Sequence, residues 1–205
     1  MLGMGDFEAT AEQVCALARA CASRGSVPAT SGNFSAVVSR EPLRLAITPS
    51  GVDKGALSPQ AILEIDGMGA LVRGEGRPSA EAAIHLAIVR SRNAGAVAHT
   101  HSMWAAVLSA RGEALAIEGL EMLKALEGVT SHEHREVLPI VANTQDWANG
   151  VHAVDAALTR EPSAHGLLIR GHGLYTWGRD TAETRRHVEA LEYLLEVTGR
   201  STWQS

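Results

Sequence analysis

A chain of 205 residues with 45% hydrophobic residues and a formal net charge of −5 carries apolar material for one sizeable core. It has no run of Lys or Arg, and so lacks the concentrated basic face that non-specific nucleic-acid or membrane binding requires; both partners are excluded on that ground. The opening residues Met1-Leu2-Gly3-Met4-Gly5-Asp6 show no basic segment leading into an apolar one, and no later stretch approaches a membrane span, so the cytoplasm is the expected compartment.

Between residues 8 and 24, Val14, Leu17, Ala18 and Cys21 recur at helical spacing, and Gly25 supplies a stop. Cys15 and Cys21 lie about 9 Å apart along that helix axis, out of disulfide reach, and are expected as free thiols. Thr30-Ser31-Gly32-Asn33-Phe34-Ser35 reads as a small-residue turn entering a strand at 36–39, and a second strand at 43–47 leads into Thr48-Pro49-Ser50-Gly51. Leu57-Ser58-Pro59 opens a short turn, and 62–66 and 70–72 pair around Gly67-Met68-Gly69. A helix predicted to start at Pro78-Ser79 carries the apolar stripe Ala80, Ala83, Ile84, Ala87 and Ile88, leaving Glu81, in its first turn, and His85 on a flanking face.

The stretch Ala94-Gly95-Ala96-Val97-Ala98-His99-Thr100-His101-Ser102 organises the chemistry. Alternate side chains of a strand share a face, so His99 and His101 project together while Thr100 points away. Two imidazoles are half a metal site, because zinc takes at least three protein ligands with one position left open when it does chemistry. His172 is the candidate third ligand, since Gly171-His172-Gly173 follows a second apolar run, Gly166-Leu167-Leu168-Ile169. A His-x-His pair by itself is equally explained by hydrogen-bonded or exposed histidines; the second histidine-bearing strand favours the metal.

Further on, residues 103–110 read as a helix, 114–117 as a strand, 120–126 as a short helix, 137–141 as a strand and 146–158 as a helix. A strand pair at 166–177 surrounds His172, and a last helix at 181–199 buries Val188, Leu191 and Leu195. Strands and helices interleave, yet several connections are too short for a crossover helix, so antiparallel pairs must be frequent. The expected fold is α/β: a three-layer α/β/α sandwich with a mixed, largely antiparallel central sheet, as a single domain over residues 1–205.

Three loops, Ser31-Gly32-Asn33, Ser50-Gly51 and Pro78-Ser79, set small hydroxyl or amide side chains beside glycine or at a helix start. Backbone N–H groups in such turns and the positive end of a helix dipole suit a phosphate, although each loop alone reads equally as a turn or an N-cap. Glu81 fits a metal ligand, a general base, or an acid at a helix N-terminus worth only ~0.3–1 kcal/mol. Glu121, near the start of the short helix, reads from its pattern as a solvated residue. His132 and His134 repeat the His-x-His spacing, but among acidic and polar neighbours they are expected to be exposed or substrate-facing rather than a second metal pair.

Taken together, Ser31-Gly32-Asn33-Phe34-Ser35, Thr48-Pro49-Ser50-Gly51, Pro78-Ser79-Ala80-Glu81, His99-Thr100-His101-Ser102 and Gly171-His172-Gly173 resemble the class II aldolase/adducin-head superfamily across nearly the whole chain. Residues 118–126, followed by His132-Glu133-His134-Arg135-Glu136 and Pro139-Ile140, resemble its branch that dehydrates methylthioribulose 1-phosphate in methionine salvage. The resemblance implies one zinc ion per subunit on His99, His101 and His172, and a phosphate held around Gly32, Asn33, Ser50, Gly51 and Ser79. It implies Glu121 as the acid/base residue. The position of Glu81 is a ligand and acid/base group in the sugar-phosphate aldolases, whereas some dehydratases lack a carboxylate there, so its role stays open; Ala80 stands where aldolases often carry a second serine. A small-molecule sugar phosphate as partner and a homotetramer with sites near subunit boundaries are implied as well.

The implied reaction removes water from 5-methylthioribulose 1-phosphate, zinc on the C2 carbonyl and C3 hydroxyl making the C3 hydrogen removable, and gives 5-methylthio-2,3-dioxopentyl phosphate. Two alternatives are a class II aldolase releasing dihydroxyacetone phosphate and an aldehyde, which Glu81 favours, and a non-catalytic adducin-head-like interaction domain. Retention of all three histidines argues against the latter.

Overall fold

A computed structural model describes residues 4–203, with side chains from Phe7 to Ser201. The strands are β1 (Asn33–Arg40), β2 (Leu43–Ile47), β3 (Leu63–Asp66), β4 (Leu71–Arg73), β5 (Ala96–Thr100), β6 (Ala114–Ile117), β7 (Glu136–Val141), β8 (Gly166–Ile169) and β9 (Gly173–Gly178). The helices are α1 (Met4–Ser23), α2 (Ala82–Arg92), α3 (Met103–Leu108), α4 (Trp147–Arg160) and α5 (Thr181–Trp203), with short 3-10 turns at Pro59–Ala61 and Glu121–Ala125. The strands form one sheet in the order β4-β3-β2-β1-β5-β9-β8-β7-β6. Every pairing is antiparallel except β7 with β8, which α4 joins as a crossover. Among the described residues no helix is long and apolar enough to cross a membrane.

Alternation along the strands sets the layers. Leu45 and Ile47 of β2, Val97 of β5, and Tyr175 and Trp177 of β9 pack with Ile84 and Ile88 of α2 and Val154 and Leu158 of α4. Their neighbours Ala46, Ala96 and Ala98 face the opposite side, against Val14, Leu17 and Ala18 of α1. Leu138, Leu168 and Leu174 complete that second face against Leu191, Leu194 and Leu195 of α5, Leu123 of the second 3-10 turn and Leu126 just after it. The expected sandwich with a mixed, largely antiparallel sheet is the fold observed. Cys15 and Cys21 are free and buried in α1, where burial pushes their thiols up to about 11 and about 12.

Among the boundaries that differ from expectation, two bear on the site. β1 begins at Asn33, not at residue 36, because Asn33 pairs directly across from His99 on β5. The helix expected from Pro78-Ser79 starts at Ala82, with Glu81 at its cap and Ser79 in a preceding turn that bridges Pro78 to Pro49. Since α2 packs on the sheet and is flanked by α4 in the same layer, it buries Ala82 and Ile84 through Val89, far more than the expected stripe, while Ala80 is exposed. His85 is therefore sealed inside rather than placed on a flanking face.

At the centre of the sheet, β9 approaches β5 so closely that a Cβ on Gly173 would lie 2.1 Å from Thr100 O and 2.9 Å from His99 Cε1. Overpacking at such a contact costs about 1–3 kcal/mol. Gly173→Ala is therefore expected to lower the thermal midpoint and to displace the His99 ring. A variant with the parent's stability and metal affinity would contradict this packing.

Candidate metal centre

His99 sits on the penultimate residue of β5, and His101 follows the strand's end, its N–H held by Ser26 O at 2.9 Å. The entirely buried Ala96-Val97-Ala98 anchors this strand. His172 stands in the β8–β9 hairpin, where Gly171 takes a positive φ of 61° and His172 N–H donates to Ile169 O at 3.0 Å. The hairpin thus returns His172 to the strand end that carries the other two.

The three rings point their Nε2 atoms at one another: His172 Nε2 lies 3.1 Å from His101 Nε2 and 3.4 Å from His99 Nε2. His99 Nδ1–H donates to Leu174 O at 3.0 Å, which leaves the Nε2 lone pair facing the cluster. Tyr175 stacks on the His99 ring at 4.0 Å and 10°. Burial first, then the neighbouring imidazoles, holds His99 well below its ordinary pKa, and burial and His172 push His101 to about 4. Neutral imidazoles with converging lone pairs are the donor set that a divalent cation takes, so the residues fit one metal ion.

Glu81 completes the group. Its Oε2 lies 3.5 Å from His99 Nε2 and its Oε1 3.6 Å from His172 Nε2. Asn33 Nδ2 donates to Glu81 Oε2 at 2.7 Å, His85 Nε2–H donates to Asn33 Oδ1, and Ser35 Oγ–H donates to His85 Nδ1 at 2.7 Å. A carboxylate can only accept, so it dictates the Asn33 amide orientation, which fixes the His85 tautomer and then the direction of the serine hydroxyl. Nearby, the Tyr175 hydroxyl is buried close to Glu81, and burial, then the charge of that carboxylate, holds its pKa well above the ordinary value.

Beside this cluster lies a hollow of about 200 Å³ whose wall includes Gly32, Asn33, Ser50, Gly51, Ser79, Glu81, His101 and His172. All three loops singled out from sequence meet there. Gly32 is required by shape: at φ 73°, a Cβ would lie 2.5 Å from Val27 Cγ1 and 2.7 Å from His99 O. Asn33 lines the hollow as expected, and its side-chain amide bonds to Glu81, Ser79 and His85. Glu81 is turned into the site and is no solvated acid on a helix end. A larger hollow of about 770 Å³ between α2 and α4 shares only Ser79 with this wall.

Glu121 is not brought to the histidines within one chain. Its side chain is 72% exposed and pairs with Lys124, with His132 Nδ1 3.8 Å away. His134, expected to be exposed or substrate-facing, is partly buried, and its Nε2–H donates to buried Glu136 at 3.0 Å. His165 donates from Nδ1 to the same carboxylate at 2.9 Å and from Nε2 to Glu127 O at 2.8 Å. Burial opposes the charge on His165, but the bond and charge of Glu136 outweigh it and raise its pKa. Sequence reasoning singled out neither Tyr175 nor Lys54, and took His85, four residues after Glu81 on one helix, for an ordinary helix histidine.

This fold, with a histidine cluster that could hold a divalent ion, defines the class of protein, and comparison with known proteins gives its family. The Class II Aldolase and Adducin N-terminal domain model matches residues 12–198, and the chain belongs to that family. It is 46% identical over 195 residues to a methylthioribulose-1-phosphate dehydratase of Sorangium cellulosum (strain So ce56), covering 93% of this chain and 91% of that one. A protein of the same name from Methylococcus capsulatus (strain ATCC 33009 / NCIMB 11132 / Bath) is 42% identical, covering 95% of each chain. Among solved structures, an L-fuculose 1-phosphate aldolase superposes with a TM-score of 0.79 at 22% identity, covering 94% of this chain and 86% of that one. The L-fuculose-1-phosphate aldolase from Thermus thermophilus gives 0.75 at 25% identity over 96% and 98%.

Burial pushes His85 to about 3, against 6.5 for a free imidazole. The unfolded chain takes up this proton as pH drops through 6.5, and the folded chain does not until about 3, so stability falls across that window. The loss between about pH 6.5 and 5 is about 2 kcal/mol from this residue alone. Denaturation of metal-free protein at the two pH values measures it; a His85→Gln variant with the parent's full pH slope would contradict the assignment.

Proposed function

We propose that this chain dehydrates 5-methylthioribulose 1-phosphate to 5-methylthio-2,3-dioxopentyl phosphate as a zinc-dependent hydro-lyase of methionine salvage, working in the cytoplasm. One conjunction carries the reading. Three converging imidazoles and a carboxylate held by Asn33 adjoin a small pocket walled by Gly/Ser loops, in a chain closely similar to relatives that bear the dehydratase name.

His99, His101 and His172 would hold the divalent ion, and the loops around Gly32, Asn33, Ser50, Gly51 and Ser79 would receive the phosphate through small side chains and backbone N–H groups. When bound, the ion supplies Lewis-acid polarisation of substrate oxygens. Glu81, oriented by Asn33, limits how substrate oxygens approach the histidines. Glu121 takes the C3 proton and returns one to the C4 hydroxyl, which leaves as water; the resulting enol tautomerises to the diketone. Because Glu121 is exposed on its own chain, the proposed assembly is a homotetramer with sites at subunit boundaries, in which the second 3-10 turn of one copy reaches the pocket of the next.

The placement of Glu81 beside His99 and His172 favours a second reading, a sugar-phosphate aldolase. Product analysis on 5-methylthioribulose 1-phosphate decides between them. A diketone without free aldehyde supports dehydration; dihydroxyacetone phosphate with an aldehyde overturns it. Glu121→Gln is expected to keep fold and metal while kcat falls by about 10²–10⁴-fold, and His101→Ala to lose the metal. Normal turnover in the glutamine variant would reject the role given to Glu121.

A further inference from the structure

Lys54 is one of two lysines in the chain, the other being Lys124. It lies in the loop after β2 and is 1% exposed. Its Nζ donates to Thr30 O at 2.9 Å and to Val52 O at 2.7 Å. Among the described residues no carboxylate pairs with it, and adjacent Asp53 spends Oδ1 on Gly55 N–H at 2.8 Å. Withdrawing an ammonium from water costs several kcal/mol, and proteins ordinarily offset that with a carboxylate. Here two neutral carbonyls occupy two of its three N–H groups, and the charge is left without a partner. Burial accordingly lowers the Lys54 pKa, against the weaker pull of Asp53.

The two carbonyls belong to the two loops that wall the pocket. Thr30 is itself in the wall and stands two residues before Gly32, and Val52 follows Gly51. Among the described residues no lysine or arginine lines that pocket. Lys54 is nevertheless near enough for its charge to help depress the pKa of His101, which does line it. A buried cation without a counter-ion thus stands behind a hollow of about 200 Å³ formed from glycine and serine loops.

We propose that Lys54 is the counter-charge of this pocket and the tie that sets the spacing of its two loops, so that a phosphate dianion supplies the missing negative partner. The inference rests on the sugar-phosphate reading and adds its electrostatic determinant. Lys54 is a positioning residue: it acts on the anion through the loops and through its field, without lining the pocket. Its effect therefore falls on phosphate affinity and KM rather than on kcat.

The test uses metal-loaded protein with inorganic phosphate as the probe, read by calorimetry and by competitive inhibition. Lys54→Met and Lys54→Gln are each expected to weaken phosphate binding and raise KM by about tenfold or more, with kcat and metal content near the parent's; Lys54→Arg restores most of the loss. Glutamine keeps donors for the carbonyls but no charge, so phosphate affinity restored by Gln and not by Met would reduce Lys54 to a strut and overturn the proposal. Parent-like phosphate affinity in both variants would overturn it as well. Should Lys54→Met fail to fold, the Gln and Arg variants decide. A parent protein that does not bind phosphate at millimolar concentration sinks the sugar-phosphate reading itself, and this inference with it.

Discussion

The antiparallel seam between β5 and β9 is the constraint on which the rest of the structure depends. His99 pairs across it with Tyr175 and Thr100 with Leu174, so the end of β5 and the β8–β9 hairpin share one margin of the sheet. Because β1 also runs antiparallel to β5, its first residue, Asn33, arrives at that margin, and the end of β2 follows by the β1–β2 hairpin. The bridge from Pro49 to Pro78 draws in Ser79 and Glu81. Segments far apart in the chain are thereby gathered at one place by strand pairing alone. The absence of side chains at Gly32 and Gly173 lets their backbones close around His99.

Hydrogen bonding then gives that gathering a direction. Leu174 O selects the tautomer of His99 from one side. From the other, the chain of donors from Ser35 through His85 and Asn33 ends at Glu81 and holds its carboxylate toward the histidines. Burial keeps His85, His99 and His101 neutral at ordinary pH, so the cluster offers lone pairs rather than charge. On the opposite face of β5, Thr100 Oγ1 donates to partly buried Glu192 of α5, and the strand is held from both sides.

Much of this was legible in the sequence because it depends on local period. Alternation along residues 96–101 placed His99 and His101 on one face, and short connections forced antiparallel pairs; both hold. The loops around Gly32, Ser50 and Ser79 were legible as turns, and their convergence follows from sheet order, which no single loop encodes. What stayed hidden depends on partners distant in the chain. His85 looked like an ordinary helix residue because its partners, Ser35 and Asn33, lie on β1. Helix α2 buries more than one stripe because α4 flanks it, a fact absent from its own periodicity. The role proposed for Glu121 comes from resemblance alone, since one chain leaves it in solvent beside Lys124.

X-ray absorption at the metal edge of the purified protein tests the central claim most directly. Three imidazoles converging through Nε2 require about three nitrogen neighbours at about 2.0–2.1 Å, with the outer-shell scattering of rigid imidazole rings and light-atom ligands in the remaining positions. A first shell containing sulfur at about 2.3 Å, or one with no imidazole outer shell, would contradict the histidine centre and the account of the site built on it.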